Sequence, residues 1–424
     1  MEPWTLLLII LLVLGISTPL WSVVGFLRVV GEWQNKTNPR QRAARRESIL
    51  RPEQVAVLIA ARNEELVLAA TLRSAAVQVP RSNIHVVSDG STDGTADVAR
   101  GEGVNVLELS PNRGKAGALA AGIEHFGLDT RYEVVMLLDA DTRLAGNYMR
   151  TGLPLFNDPE VVAVAGRART LPDPGRQRLV ARILLAYRER LYTVVQLLMK
   201  YGQASRPANV VSIVPGFASM YRARVLPHID MTAPGLLIED FNMTFEVHAK
   251  QLGRIEFHPS AANAFTQDPN TIRDYTRQVR RWSLGFWQTV RRHGLHPGRF
   301  WMALLLHIVE LIASSLLLVL TLPLAALSMA TGSSFLRPEH LLLGVLLPDF
   351  LLTVITALVL RRPGVLLLGL AFPLVRVVDG CICLATVWQA WTRRTGGTWT
   401  SPSRRVQESG AGGGVQLAAA RAEG

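Results

Sequence analysis

Two aspartates follow a short apolar run and indicate a site for a divalent cation. The run 136–138 leads directly into Asp139 and Asp141. Residues i and i+2 of an extended segment share a face, so both carboxylates leave the strand end on one side. Converging carboxylates repel unless a cation lies between them, and Mg²⁺ or Mn²⁺ prefers oxygen ligands shared with substrate phosphates. A solvated loop would also carry this pair, so the pattern alone is weak.

A second polar cluster, residues 88–95 (SDGSTDGT), follows another apolar run. Ser91 or Thr92 suits the N-cap of a following helix, which explains the cluster as a turn. An acid at the carboxyl end of a strand can also hydrogen-bond the base or ribose of a nucleotide, a role open to Asp89. The two interpretations are compatible.

Lys115 lies in the segment 112–117 (NRGKAG), which enters a predicted helix. The segment matches neither a Walker loop nor a Gly-x-Gly-x-x-Gly fingerprint, which argues against an ATPase and a dinucleotide enzyme. A helix start beside a lysine favours an anion. Only four of the 45 basic residues are lysines, so a compact ammonium is implied at this position.

Two further segments carry polar groups next to apolar runs. Asp240, preceded by Glu239, suits either a helix cap or a general base. Gln278, Arg281 and Trp282 come just before the apolar C-terminal part, where Trp and Arg are also typical membrane-interface anchors.

The elements that must position these residues alternate between strands and helices. Apolar β-rich runs occur at 55–59, 84–87, 104–107, 134–138 and 161–164, with helix-like stretches near 64–77, 92–100 and 117–125. Strands separated by single helices predict right-handed βαβ units, hence an α/β fold with a mostly parallel sheet. Ligands of such sheets bind beyond the carboxyl ends of the strands, where the polar segments fall.

Hydropathy excludes a purely soluble protein. The 424 residues are 49% hydrophobic, yet residues 5–27 contain no charge and residues 301–390 contain only eight. Uncharged runs of about 18 or more residues can cross a bilayer. Predicted spans lie at 5–27, 301–330, 341–360 and 364–387, and predicted amphipathic helices at 172–206 and 271–299, the latter with the composition of an interfacial helix.

The formal net charge of +12 is concentrated beside the predicted spans. One basic cluster follows the first span (Lys36, Arg40, Arg42, Arg45, Arg46, Arg51), and another precedes the second (Arg273, Arg277, Arg280, Arg281, Arg291, Arg292, Arg299). This placement obeys the positive-inside rule and suits anionic lipid headgroups. It predicts membrane lipids and no nucleic acid as partners, with the domain after the first span in the cytoplasm. Arg393, Arg394, Arg404 and Arg405 leave the topology of the last run open.

These patterns predict six consecutive parts of the chain. They are an N-terminal transmembrane helix at 1–31, a basic juxtamembrane linker at 32–52, a cytoplasmic α/β domain at 53–270, amphipathic interfacial helices at 271–300, about three transmembrane helices at 301–390, and a disordered tail at 391–424. Cys381 and Cys383 lie inside an apolar run, with a spacing that suits neither a disulfide framework nor a zinc site.

Taken in order, the motifs resemble those of the membrane-embedded family 2 inverting glycosyltransferases, which include hyaluronan, chitin, cellulose and poly-N-acetylglucosamine synthases. The matching segments are 60–64, 89–93, 112–115, 139–141, 239–240 and 278–282, which together cover roughly residues 55 to 285. One segment departs from the pattern. Residues 214–222 (VPGFASMYR) stand where many members have a run of small residues, and Phe217 adds bulk near the donor or acceptor pocket, which leaves the donor sugar open.

The resemblance implies a GT-A-like nucleotide-sugar-binding domain and a UDP-sugar donor. The residues it implies at the nucleotide sugar are Ala60, Arg62, Glu64, Asp89, Lys115 and Asp139. Asp89 and the Ala60 region would hold the uracil, and Lys115 would lie near the base and diphosphate. Asp139 and Asp141 would hold the ribose and a Mg²⁺ or Mn²⁺ ion on the diphosphate.

The resemblance also implies the catalytic groups and the location. Asp240 would deprotonate the acceptor hydroxyl, Gln278 and Arg281 would face the diphosphate, and Trp282 would stack on the acceptor sugar. The implied protein is a multi-pass enzyme of the plasma membrane with a cytoplasmic catalytic domain. It would transfer sugar, guessed as N-acetylglucosamine or glucose, to a growing β-linked polysaccharide.

Two alternatives stay open from the sequence. A non-processive transferase would add a single sugar to a lipid or lipid-linked acceptor, and the segment 278–282 favours the processive class over it. A transporter is suggested by Asp349, Arg376 and Asp379 within apolar runs, because ionisable groups in membranes are costly and often functional. Arg376 and Asp379, three residues apart, could instead pair on one helix face.

Overall fold

The computed structural model describes residues 3–35, 47–171, 177–332 and 337–392. Several predictions therefore fall outside the described residues. They concern the start (172–176) of the first predicted amphipathic helix, the C-terminal tail, and the basic residues Lys36, Arg40, Arg42, Arg45, Arg46, Arg393, Arg394, Arg404 and Arg405.

A seven-stranded sheet forms the centre of the α/β domain. Its strands are β1 (Val55–Ala61), β2 (Ile84–Asp89), β3 (Asn105–Leu109), β4 (Val134–Leu138), β6 (Val161–Val164), β8 (Ala218–Arg222) and β9 (Arg254–Glu256). Their order is β3-β2-β1-β4-β8-β6-β9, and only β8 runs antiparallel to its neighbours. All five predicted strands are present, and the predicted mostly parallel sheet is confirmed.

A smaller sheet and seven helices complete the domain. The sheet joins β5 (Arg143–Leu144), β10 (Asn263–Thr266) and β7 (Arg167–Thr170) in that order. The helices are α3 (Leu68–Ala76), α4 (Thr95–Gly101), α5 (Gly114–Phe126), α6 (Leu128–Arg131), α7 (Tyr148–Gly152), α8 (Leu179–Thr193) and α9 (Glu239–Ala249). α8 continues through a π-helical segment, Val194–Lys200, and a last turn, Tyr201–Gln203, so the first predicted amphipathic helix is confirmed with a widened turn near its end.

The buried strand β1 divides the apolar interior into two cores. Val57 and Ile59 face the core under α3, whereas Leu58 faces the core under α5. This alternation follows from the two-residue period of a strand. Gly122 lets α5 approach the sheet, since a Cβ there would lie 2.8 Å from Leu58 Cδ1. Lys115 lies in the first turn of the same helix.

Long helices follow the α/β domain. They are α10 (Ile272–His293), α11 (Arg299–Thr331), α12 (Pro338–Leu360), α13 (Gly364–Gly369) and α14 (Phe372–Thr392), and two helices precede the domain, α1 (Pro3–Leu14) and α2 (Ser17–Asn35). Within the described ranges, three helices (α11, α12 and α14) are long and apolar enough to cross a membrane, or four spans if α1 and α2 together count as one. The amphipathic helix predicted at 271–299 corresponds to α10, which packs against α14 and α9.

The predicted single helix at 1–31 is wrong in its geometry. α1 and α2 meet at an angle of 67°. Gly15 breaks the helix in the left-handed region at φ 76°. The first N–H groups of α2, those of Ile16 and Ser17, donate to Glu310 Oε1 of α11 at 2.6 and 2.8 Å. A helix start buried among other helices needs such acceptors, and the carboxylate of Glu310 supplies them.

The second half of α2 lies against the α/β domain rather than among the apolar helices. Arg28 forms an ion pair with Glu256 of β9 at 2.8 Å, and its guanidinium lies over the Tyr201 ring at 4.4 Å. α1, by contrast, packs against α11 and α12. The first part of the chain therefore contacts the apolar helices through α1 and the α/β domain through α2.

The ionisable residues of the apolar helices are engaged with partners. Asp349 of α12 pairs with Arg376 at 3.1 Å and with Arg190 of α8 at 2.7 Å. Asp379 accepts hydrogen bonds from the hydroxyls of Tyr187 and Tyr275. The expected pairing of Arg376 with Asp379 on one helix face is therefore replaced by contacts between helices. These contacts attach α8 and α10 to the apolar helices. They give the charged residues of those helices a structural role that does not require a transport function.

Candidate active site

A cavity of about 710 Å³ lies beyond the carboxyl ends of β1 and β4, bounded by α8, the start of α9 and α10. Nine of the eleven residues predicted for the site line this cavity: Ala60, Glu64, Lys115, Asp139, Asp141, Asp240, Gln278, Arg281 and Trp282. The tertiary structure thus brings together segments that are far apart in the chain. The roles assigned to these residues stay predictions.

Arg62 and Asp89 are the two predicted residues that do not line the cavity. Arg62 lies beside the side-chain amide of Asn112, whose oxygen can accept from its guanidinium. Asp89 is fully buried at the end of β2, where its Oδ1 accepts from the Arg113 backbone N–H at 2.6 Å. Its Oδ2 has no hydrogen-bond partner among the described residues. A buried carboxylate oxygen without a hydrogen-bond partner favours a ligand that donates an N–H or O–H group.

Lys115 bridges two carboxylates at the edge of the cavity. Its Nζ lies 2.7 Å from Asp139 Oδ1 and 2.7 Å from Glu239 Oε1. Burial acts to lower the pKa of Lys115, but Asp139 and Glu239 outweigh it and hold the pKa above its usual value. The lysine is therefore a permanent cation that joins α5, the end of β4 and the start of α9. Glu239 as its partner was missed by the sequence prediction.

Asp240 has the environment of a general base. Its Oδ2 accepts from the Gly216 N–H at 3.2 Å and its Oδ1 from the Phe241 N–H at 2.8 Å. Burial and the neighbouring Glu239 raise the pKa of Asp240 to about 6, against the opposing effect of Lys115. A base with a pKa near the working pH combines ionisation with proton affinity, which favours catalysis.

Glu239 is less suited to act as the base. Burial acts to raise its pKa, but the cations Lys115 and Arg281 outweigh this and hold the pKa below its usual value. Its carboxylate is also held against Lys115 at 2.7 Å. Of the two adjacent acids, Asp240 is therefore the one that can accept a proton near neutral pH.

The chemistry of Asp139 and Asp141 fits a hard cation that shares its ligands with a substrate. Both side chains line the cavity, and Asp141 is 9% exposed. In the part of the chain that the structure describes, no group of three or more His, Cys, Asp or Glu side chains could hold a metal ion. Mg²⁺ and Mn²⁺ commonly use one or two carboxylates together with phosphate oxygens and water, so the two aspartates suffice when a diphosphate supplies other ligands.

Gln278, Arg281 and Trp282 reach the cavity from one side of α10. Their i, i+3, i+4 spacing places them on a single helix face. Gln278 Oε1 accepts a hydrogen bond from Arg188, and the Arg188 guanidinium lies 4.4 Å from the centroid of the Trp282 ring. Arg188 belongs to α8 and was missed by the sequence prediction.

Other cavity residues missed from the sequence come from the π-helical segment after α8. Gln196 bonds both backbone groups of Ala168 at 3.1 Å. Lys200 is 4% exposed, with its Nζ 5.6 Å from the centroid of the Phe257 ring and no hydrogen bond or ion pair to any described residue. Burial lowers the pKa of Lys200 to about 8, against the charge of Asp240. The scarcity of lysine that singled out Lys115 could have identified Lys200 as well.

Comparison with known proteins agrees with this fold. Residues 52–285, more than half of the chain, match the model of the family described as glycosyltransferase like family 2. The chain is 26% identical over 253 residues to a poly-beta-1,6-N-acetyl-D-glucosamine synthase of Staphylococcus epidermidis, covering 56% of this chain and 58% of that protein. It is 29% identical over 255 residues to a probable glycosyltransferase, YdaM, of Bacillus subtilis, covering 57% of each. The chain thus spans less than two thirds of the length of these relatives.

One solved structure is similar over nearly the whole described chain. It is the mannosyltransferase PcManGT from Pyrobaculum calidifontis in complex with GDP-Man and Mn²⁺, with a TM-score of 0.52 at 18% identity, covering 88% of this chain and 99% of the other. At this identity the likeness concerns the fold. The predicted GT-A-like α/β fold is confirmed.

Replacing Lys115 by Met tests how far the site depends on its cation. The change leaves Asp139 and Glu239 beside Asp240 without a counter-charge. We expect the free energy of unfolding to fall by about 3 kcal/mol, the lower end for breaking a buried pair, because a third of the Asp139 side chain still contacts water. Denaturant unfolding of the purified protein in detergent measures this.

Lys250→Met is the matched control, since Lys250 is 48% exposed and its pair with Glu246 should contribute under about 1 kcal/mol. Equal losses in the two variants would contradict the prediction.

Proposed function

The chain belongs to glycosyltransferase-like family 2, and from this premise we propose that it is a processive inverting glycosyltransferase of the membrane. It moves a sugar from a UDP-sugar to a hydroxyl of a growing β-linked polysaccharide. The observation that carries the proposal is the half-buried Asp240, which shares one cavity with Lys115, Asp139 and Arg281. Such a cavity has a base for an acceptor hydroxyl and cations for a departing diphosphate.

The reaction is a direct displacement at the anomeric carbon. The acceptor hydroxyl attacks from the side opposite the diphosphate, which inverts the configuration, and Asp240 Oδ takes the hydroxyl proton. A sugar hydroxyl is a poor nucleophile near neutral pH, and a positioned carboxylate typically contributes about 10² to 10⁴ in rate. The backbone N–H groups of Gly216 and Phe241 hold the carboxylate in place for this transfer.

The leaving UDP carries negative charge on its diphosphate. Lys115 and Arg281 are two of the cations that line the cavity and would stabilise the diphosphate as the bond to the sugar breaks. Asp139 and Asp141 would hold a Mg²⁺ or Mn²⁺ ion, which supplies further charge neutralisation on the diphosphate when bound. Asp89, with its free buried Oδ2, would accept from the uracil ring.

The acceptor side of the cavity is formed by Trp282. A flat indole suits one face of a pyranose ring. Trp282 lies on α10, which packs along the apolar helix α14, so a glycan held there would stand next to the apolar helices. This arrangement supports a product that leaves between the spans, as processive synthesis requires. The α/β domain would then be cytoplasmic and the protein a multi-pass enzyme of the plasma membrane in contact with membrane lipids.

The donor sugar is proposed as N-acetylglucosamine or glucose. The similarity to a protein named as a poly-beta-1,6-N-acetyl-D-glucosamine synthase favours UDP-N-acetylglucosamine. Phe217 lines the cavity and would limit the space for the sugar or its acceptor. The alternative is the transfer of a single sugar to a lipid acceptor. The length of the product distinguishes this alternative from processive synthesis.

Replacing Asp240 by Asn removes the proposed base at almost constant volume. We expect incorporation of labelled sugar from UDP-sugar into membranes to fall by about 10² to 10⁴, because the acceptor hydroxyl loses its proton acceptor. Asp230→Asn is the control, since Asp230 is partly exposed, pairs with Arg292 and does not line the cavity. Undiminished turnover in Asp240→Asn would rule out the base assignment.

The pH dependence of kcat/KM should report the same carboxylate. Asp240 acts only when ionised, and its pKa is raised to about 6. We therefore expect activity to rise with pH through about 6 and to be lost as the pH falls below it. An acid limb near pH 4, the range of an ordinary aspartate, would contradict the raised pKa.

Product length tests the polymerase proposal directly. Membranes that contain the protein are offered labelled UDP-N-acetylglucosamine and UDP-glucose in parallel, and the products are separated by gel filtration. We expect a long polymer from one donor, and its loss when EDTA removes divalent ions, with recovery on adding Mg²⁺ or Mn²⁺. A product that stops at one added sugar would replace the processive proposal by the single-transfer alternative.

A further inference from the structure

We propose that Arg188 is a positioning residue that holds Trp282 on the acceptor side of the cavity, through its contacts with that ring and with Gln278, and thereby sets the length of the product. The inference rests on the proposed polymerase function. It concerns a residue of α8 outside the motif segments discussed above.

The contacts of Arg188 converge on one face of α10. Its Nη2 donates to Gln278 Oε1, and its guanidinium lies 4.4 Å from the centroid of the Trp282 ring and 5.1 Å from that of Tyr275. Tyr275, Gln278 and Trp282 follow a spacing of three and four residues, so a single side chain spans two turns of the helix. Arg188 is fully buried and does not line the cavity, whereas Gln278 and Trp282 do. It can therefore act on a substrate only through them.

A carboxylate from a third element lies near the guanidinium and supplies an opposite charge. Asp268, which follows β10, lies with its Oδ1 3.9 Å from Arg188 Nε and accepts from the Tyr192 hydroxyl at 2.7 Å. Burial and Asp268 raise the pKa of Tyr192, so its phenol stays a donor. Asp268 and Tyr192 both line the cavity. The cluster thus connects α8, the end of β10 and α10 behind the cavity face formed by Gln278 and Trp282.

The chemistry of this position requires arginine. A planar guanidinium can stack on an indole and donate a hydrogen bond in its plane at the same time, which an ammonium cannot. A buried charge of this kind contributes little to stability compared with an apolar residue of similar volume. The geometry points instead to the orientation of the Trp282 ring, with one face covered by Arg188 and another part of the side chain exposed to the cavity.

The test compares two buried arginines of α8. Arg188→Lys keeps the charge but loses the stack and the hydrogen bond to Gln278. Arg190→Lys is the matched control, because Arg190 is also buried, lies over the rings of Tyr187 and Phe372 at 5.0 and 4.9 Å, and pairs with Asp349. Both proteins are purified in detergent, and the donor KM, the mean product length and the share of donor that is hydrolysed by water are measured beside the wild type.

We expect Arg188→Lys to shorten the mean product about tenfold, the change that corresponds to about 1.4 kcal/mol of lost acceptor binding. Its donor KM should stay within about twofold of wild type, with more donor hydrolysed, since Gln278 is the one residue assigned to the donor that Arg188 contacts within the described part of the chain. Arg190→Lys should leave product length unchanged even if it lowers stability. A donor KM that rises with the loss of product, or a product of wild-type length, would overturn the inference.

A double variant distinguishes action through Trp282 from a general loss of folding. If Arg188 acts through this ring, Arg188→Lys combined with Trp282→Phe should shorten the product no more than the stronger single variant. Effects that multiply would overturn the inference. A wild-type protein that makes no polymer overturns the proposed function and this inference with it, whereas a wild-type polymer of unchanged length in Arg188→Lys overturns this inference alone.

Discussion

The ammonium of Lys115 is the interaction on which the site depends. Asp139, Glu239 and Asp240 come from two distant segments and meet in one cavity, where three carboxylates would repel each other strongly. Lys115 lies 2.7 Å from the first two, and with Arg281 it holds the pKa of Glu239 below its usual value. Asp240 is left with backbone donors and a raised pKa. One cation thus allows adjacent acids to take different chemical roles.

The second constraint is the attachment of the catalytic face to the apolar helices. α8 and α10 carry Arg188, Gln278 and Trp282, and both are bound to those helices through Asp379, which accepts from Tyr187 of α8 and Tyr275 of α10. Ionisable groups are costly among apolar helices unless they are paired. Their pairing here holds the face of α10 that carries Gln278 and Trp282 beside the apolar helices, which suits the proposed passage of a product from one to the other.

The N-terminal region shows that the hydropathy of a segment does not determine the direction in which it runs. The apolar run predicts a span by its length, but Gly15 turns the chain and Glu310 of a distant helix accepts the N–H groups of α2. Arg28 then attaches α2 to β9 of the α/β domain. Composition measures how apolar a segment is, whereas its direction depends on acceptors that another segment supplies.

Local patterns in the sequence determined the order of strands and helices along the chain, because both follow from the spacing of apolar residues. The carboxyl ends of β2 and β4 then place Asp89 and Asp139 at one edge of the sheet. The ordered motifs indicated the family and nine of the residues that line the cavity. Only the tertiary structure decided which groups pair. Lys115 with Glu239 and Arg188 with Trp282 join residues far apart in the chain, and no periodicity encodes such contacts, since they depend on how whole elements pack.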